Sequence, residues 1–272
     1  MVDIKLKDLR YLAAVADTRH FGRAAERCFV SQPTLSAQLK KLEDSLGVQL
    51  IERQPKRVAL THRDPLAGRL RLALLPTIGP YLLPQVAPLV RRALPRLELL
   101  LYEYQTQPML QKLHAGELDA GILALPVELD GLEVRELYQE AFQVAVPAQH
   151  RLAKRASVRL EDLHDEPLLL LEEGHCLRDQ ALSLCGRVGA TEKQDFRATS
   201  LETLRQMVAT GAGVTLLPEL ASRGVHRHAR GVAVRPLAKP APVRRIGAVW
   251  RKSSARGAAI EAICQLITAH AK

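Results

Sequence analysis

An α/β protein carrying a small helical head is what this sequence predicts, and three observations predict it. Short, capped helices fill the first sixty residues; apolar runs alternate with helical patterns from Arg69 onward; and that alternation occurs twice before the chain returns to its start. The division places a winged helix-turn-helix at 1–61, a short connection at 62–68 and a two-lobed α/β region at 69–272.

In the head, Leu6, Leu9, Leu12, Ala13 and Ala16 recur at helical intervals, and the pattern breaks at Asp17-Thr18-Arg19-His20. A second helix fits Phe21 to Cys28, and Phe29-Val30 turns the chain. Ser31 can then cap the orphan amides of a third helix, whose first turn tolerates Pro33. Leu35, Leu39, Leu42 and Leu46 supply its buried stripe, and Gly47 ends it. Helix, turn and capped helix make the helix-turn-helix pattern. Beyond it, 48–53 and 58–61 read as two short strands joined by Gln54-Pro55-Lys56-Arg57, a basic hairpin or wing.

From Arg69 the grain changes. Residues 69–75, 97–104 and 120–125 read as strands, 78–94 and 109–118 as helices. A second set places strands near 142–146, 167–171, 195–198 and 214–217, separated by helices near 177–188 and 201–210. A strand at 246–251 and a helix at 258–269 bring the chain back. Strands alternating with helices imply a parallel sheet, and two lobes with a late return form a hinged pair around a cleft.

Composition narrows the function classes. A chain of 272 residues with 47% hydrophobic content can bury a sizeable core. The first twenty residues alternate charged and apolar positions, unlike a signal peptide, and no apolar run approaches the ~20 residues that span a bilayer. The expected location is the cytoplasm, with no membrane partner. Half of the +10 net charge lies in residues 1–63, where 12 Lys or Arg face 7 Asp or Glu. Such an excess favours polyanions. Four scattered cysteines exclude a secreted disulfide scaffold, and no CxxC or Cys/His cluster proposes zinc. There is no P-loop, GxGxxG, HExxH or GxSxG, so neither a cofactor nor conventional catalysis is expected. His226 and His228 lie in a polar stretch without a carboxylate or thiol companion.

The third helix gathers Ser31, Gln32, Pro33, Thr34, Ser36, Gln38 and Lys40 at one end and face. Gln and Ser/Thr hydrogen-bond base edges in the major groove, while Arg53, Lys56 and Arg57 of the wing can neutralise phosphates. Singly, each is an ordinary solvated residue. Together with the turn and the charge they read as a surface for double-stranded DNA.

Gly174 to Cys185 places two thiols nine residues apart, at a strand-to-helix junction. If both cysteines lie on one helix, a rise of about 1.5 Å per residue separates their Cα atoms by about 13 Å. A disulfide needs about 4.4 to 6.8 Å, so they can bond only if the segment unwinds. A helix amino terminus favours the thiolate, which peroxide oxidises to sulfenic acid, and His175 and Arg178 could add donors or positive charge. The plainer alternative is that both thiols are small core residues, as Cys28 and Cys264 are taken to be. Thr77 precedes one helix and Thr199-Ser200 another; capping is the expected role, with a place in the cleft the alternative.

Three stretches carry a resemblance. Phe21-Gly22-Arg23-Ala24-Ala25-Glu26-Arg27, Val30-Ser31-Gln32-Pro33-Thr34-Leu35-Ser36 and 42–53 resemble the winged helix-turn-helix of LysR-type transcriptional regulators. The remainder resembles their two-lobed, periplasmic-binding-protein-like effector domain, and 76–84, 174–185 and 196–205 resemble its peroxide-sensing branch. The resemblance implies that Cys176 reacts with hydrogen peroxide and pairs with Cys185, with His175 and Arg178 in the motif around the sensing thiol. It implies that Thr106 helps to bind peroxide and that Arg244 or Arg245 supplies a guanidinium nearby. It further implies activation of oxidative-stress genes, RNA polymerase as a partner, and a homo-oligomer.

One departure stands out. LysR-type proteins join wing to effector domain through a long helix that pairs subunits, whereas here Leu60-Thr61-His62 runs almost directly into Arg63-Asp64-Pro65-Leu66-Ala67-Gly68. On the order of 25 residues, about seven helical turns, are missing. Two other readings remain open: a regulator gated by a small organic ligand in the cleft, and a thiol-dependent peroxidase.

Overall fold

The computed structural model describes residues 6–46, 50–54, 57–60, 66–127, 130–223 and 231–270. Gly47, Lys56, His226, His228 and the connection from Thr61 to Pro65 therefore lie outside the described residues.

The head comprises α1 (Leu6–Thr18), α2 (Phe21–Arg27), α3 (Gln32–Leu46) and an antiparallel hairpin, β1 (Ile51–Gln54) with β2 (Arg57–Leu60). The expected capping holds. Ser31 Oγ accepts the Thr34 amide at 3.3 Å and starts α3, whose Leu35, Leu39 and Leu42 are buried. The buried face of α1 differs from the expected stripe: Ala14 and Val15 enter the core, while Leu6 and Leu9 stay exposed. Small side chains at Ala24 and Ala25 receive them, so α1 presents its narrow face to α2.

The α/β region is mixed rather than parallel. Its large sheet runs β10-β6-β11-β5-β3-β4, with β9 also on β6. Only β4 (Leu97–Glu103), β3 (Gly68–Leu74) and β5 (Ala120–Leu125) are mutually parallel; β11 (Val243–Arg251) and β6 (Leu132–Pro147) join antiparallel. The sixteen-residue β6 is far longer than the strand expected near 142–146. Its first part pairs with β11, and its last part with β9 (Thr215–Pro218) and β10 (Val232–Pro236). One strand thus runs through both lobes.

Each lobe keeps its own core. The first packs β3, β5 and β11 with α4 (Gly79–Ala93), α5 (Thr106–His114) and α9 (Gly257–His270). The second packs β9 and the parallel pair β7 (Pro167–Leu171) and β8 (Thr191–Ala198) with α6 (Cys176–Cys185), α7 (Leu201–Ala209) and the short α8 (Glu219–Ser222). α5 starts three residues before the expected 109 and stops earlier than 118. Gly116, at φ +73, takes the left-handed turn that ends it. α6 likewise closes at Cys185, and Gly189 at φ +79 turns the chain into β8.

Candidate functional site

The two lobes meet where β7 hands over to α6. Gly174, at φ +90, makes the turn, and a Cβ there would stand 2.6 Å from Gln105 Oε1 of the first lobe. Its bare backbone lets the two lobes approach. The next residues, His175 and Cys176, therefore sit at the seam.

Cys176 opens α6 and packs against the core of the first lobe, whereas Cys185 ends the helix inside the core of the second. The intact ten-residue helix keeps them roughly 13 Å apart. All four cysteines are free, and Cys28, Cys185 and Cys264 are buried. Burial pushes the Cys185 and Cys264 thiols up to about 11.

The expected acidic thiol at Cys176 is corrected by its surroundings. Burial pushes Cys176 above the ordinary thiol range, while Arg244, the Thr106 hydroxyl and the Leu177 amide pull it back. Desolvation of the thiolate outweighs the helix terminus and its neighbours. Thr106 opens α5; its buried Oγ1 stands beside the thiol and has no other hydrogen-bond partner among the described residues.

The two arginines of β11 lie in different surroundings. Arg244 is 2% exposed, whereas Arg245, on the opposite face of the pleat, is exposed and lies 3.6 Å from Glu136. Arg244 gives Nε to Glu140 Oε1 at 2.8 Å, Nη1 to Thr77 Oγ1 at 3.2 Å and Nη2 to the Thr77 carbonyl at 3.1 Å. The same Glu140 accepts the Leu220 amide at 3.0 Å through Oε2. Thr77 thus receives Arg244 rather than capping α4, whose N-cap is Ile78 without a side-chain bond. In the second lobe Ser200, not Thr199, caps α7 by accepting the Thr203 amide at 3.2 Å. Sequence reasoning missed Glu140, one carboxylate among 29, because its partner is 104 residues away.

Arg178 is held by a carboxylate of the second lobe. Its guanidinium clasps the Glu192 carboxylate of β8 at 2.8 and 3.2 Å and reaches the Leu171 carbonyl at 3.4 Å. It fastens α6 to the neighbouring strands. His175 is buried at the N-cap, makes no capping bond, and has Nε2 3.9 Å from Glu172. Burial holds His175 below the usual imidazole range, so it is neutral at physiological pH.

In the head, Ser31, Gln32, Pro33, Thr34 and Lys40 are exposed, and Ser36 and Gln38 half-buried. Ser31 and Thr34 share a 2.7 Å hydroxyl contact. Arg53 and Arg57 belong to the facing strands of the hairpin.

Comparison with known proteins gives this arrangement a family. Residues 6–63 match the bacterial regulatory helix-turn-helix of the LysR family, and 63–272 match the LysR substrate binding domain. The hydrogen peroxide-inducible genes activator of Dickeya chrysanthemi is 43% identical over 293 positions, covering 98% of this chain and 96% of that protein. The transcriptional dual regulator OxyR of Escherichia coli is 43% identical, covering 98% and 95%. Among solved structures, a full-length OxyR from Pseudomonas aeruginosa with a cysteine-to-aspartate substitution superposes with a TM-score of 0.69 at 40% identity, covering 98% of each chain. A Corynebacterium glutamicum OxyR cysteine mutant with hydrogen peroxide bound gives 0.71 at 33%, covering 98% of this chain and 92% of that one. The chain belongs to the LysR family of bacterial helix-turn-helix regulators, in the branch that OxyR represents.

Proposed function

We propose that this protein is a peroxide-sensing, DNA-binding transcriptional regulator in which oxidation of Cys176 and its pairing with Cys185 rebuild α6. The observation that carries the reading is the place of Cys176, at the lobe seam, beside the otherwise unpartnered Thr106 hydroxyl and within the field of Arg244. The ligand-gated alternative has less support, because it gives no role to a thiol set at the lobe seam beside that hydroxyl.

In the first step the Cys176 thiolate attacks one peroxide oxygen. The S–O bond forms, the O–O bond breaks, and the leaving hydroxide takes a proton to become water. Because burial keeps the thiolate scarce, acceleration has to come from orienting peroxide, and Thr106 and Arg244 are the donors placed to do it. In the second step Cys185 sulfur displaces the hydroxyl of the sulfenic acid, forming the disulfide and releasing a second water. The helix must unwind for the sulfurs to meet. Unwinding strains the Arg178–Glu192 clasp and removes Cys185 from the core of the second lobe, so the oxidised state differs from the reduced one by more than one bond.

The head, residues 1–61, reads double-stranded DNA through α3 and its wing; 62–68 connect it to the sensing region, 69–272. Activation of stress genes through RNA polymerase, self-association and a cytoplasmic location are expectations carried by the family. Two measurements test this reading. After one equivalent of peroxide, mass-spectrometric thiol mapping should find a Cys176–Cys185 linkage and no further peroxide consumption; continued turnover would favour the peroxidase, and absence of the linkage would remove the switch. On DNA, Gln32→Ala should relax preference at particular base pairs, each worth about 1–3 kcal/mol. Arg53→Ala should weaken cognate and random duplexes alike and flatten the salt dependence. Equal losses from both variants on both duplexes would contradict that division.

A further inference from the structure

Glu140 has a place in the site that the sensing reading does not use. Its carboxylate is 5% exposed and lies on β6, the strand common to both lobes. One oxygen holds Arg244 through Nε at 2.8 Å and Nη2 at 2.7 Å; the other accepts the Leu220 amide where α8 begins. Arg244 in turn holds Thr77 through its hydroxyl and its carbonyl. A carboxylate, a guanidinium and a threonine thus tie β6, α8, β11 and the start of α4 together beside the reactive sulfur.

We propose that Glu140 is a positioning residue that sets the peroxide sensitivity of Cys176, holding Arg244 in place while offsetting its charge. The inference rests on the reading of Cys176 as the peroxide-reactive thiol. Physically, the two roles oppose each other. Holding Arg244 keeps a donor where peroxide is to be oriented. Offsetting its charge weakens the pull that a lone guanidinium would exert on the thiolate, since the sulfur then faces a near-neutral pair rather than a cation. Such a device makes a sensor quieter than its cation alone would make it.

The charged groups around the pair are few. Cys176 is faced by Arg244 of β11 and by Asp179 of its own helix, with the Thr106 hydroxyl of α5 as a neutral donor. Glu140 is faced by Arg244 and by Tyr138, whose buried hydroxyl stays protonated through the physiological range. Behind Glu140 lies a cavity of about 40 Å³, which Glu219, Arg223 and His270 also line. None of these last groups is among the charges felt by the thiol.

The test compares E140Q and E140D with the unmodified full-length chain, following the rate of Cys176 oxidation by peroxide across pH and the melting temperature of each. E140Q removes the offsetting charge but keeps an acceptor for Arg244. Its pH midpoint should fall and its rate at neutral pH should rise. A tenfold gain in thiolate yields only about threefold in rate, because nucleophilicity declines with acidity at a Brønsted slope of about 0.4–0.5. E140D keeps the charge and shortens the reach; its midpoint should stay while its rate falls. In an R244Q background the E140Q effect should vanish, because the charge it uncovers is gone. That background also serves if E140Q alone folds poorly, since the doubly substituted chain buries no unpaired ion.

An E140Q chain with unchanged midpoint and rate, or one whose rate falls without a midpoint shift, would overturn the proposal. So would an E140Q gain that persists without Arg244. If the unmodified Cys176 itself fails to react, the sensing reading falls instead, which separates the two failures.

Discussion

Cys176→Ser should abolish the peroxide response completely, because the hydroxyl oxygen that replaces sulfur is not a nucleophile toward peroxide at neutral pH. Oxidation followed by mass spectrometry should drop to the background of the three remaining thiols, all buried. DNA binding by the reduced variant should be unchanged, since the residue is far along the chain from α3 and a serine nearly matches the size of the cysteine that opens α6. Cys185→Ser separates the steps: first oxidation should proceed at the unmodified rate, but the sulfenic acid should persist and pass to the sulfinic form under excess peroxide. Were Cys185→Ser to slow the first step as much as Cys176→Ser, the assignment of attacking and resolving thiols would be wrong. The pH profile adds a sign. Burial raises Cys176 above the ordinary thiol value, so its thiolate is a minor species at pH 7 and grows as pH rises. The rate should therefore climb through the neutral range and level off only above the free-thiol value of about 8.5. A rate already flat between pH 6 and 8 would mean that the thiol is ionised there.

What the sequence made legible was local. The cap at Ser31, the leucine stripe of α3 and the start of α6 follow from contacts within a few residues, and the structure has them at those places. Long-range features were illegible for the same reason. The first part of β6 carries Glu133, Arg135 and Glu136 at exposed or half-buried positions, and it pairs with β11 more than a hundred residues later, so its spacing alone did not read as strand. The acidity of Cys176 was misjudged because a helix terminus is visible in sequence while burial against the other lobe is not. Arg244 and Arg245 were indistinguishable because the phase of a pleat depends on which neighbours the strand finds. Glu140 had no local signal at all, yet it closes the network behind the sulfur.

Restoring a helix of about 25 residues between wing and sensing region should raise affinity for an operator with two half-sites by roughly 10²–10⁴-fold, the range that tethering a second binding module gives. The alignment with the Dickeya chrysanthemi relative spans 293 positions against a chain of 272 residues, so at least 21 of its positions have no counterpart here. The matches to head and effector region meet at residue 63, and eight peptide steps separate Leu60 at the end of β2 from Gly68 at the start of β3. Fully extended, they reach roughly 28 Å. A helix of about 25 residues is about 37 Å long, close to the 34–36 Å between half-sites one helical turn apart, and presents a face along which two subunits can pair. Without it, each head hangs from its own sensing region on a short tether, and the second half-site gains little from occupation of the first. The chain as it stands should bind a two-half-site operator only a few-fold better than a single half-site, while the elongated chain gains on the double site alone. Sedimentation should show the same contrast, with self-association strengthened by the added helix. If the unaltered chain already sediments as a tight dimer and binds the double site with full avidity, the sensing regions pair by themselves and the missing helix is dispensable.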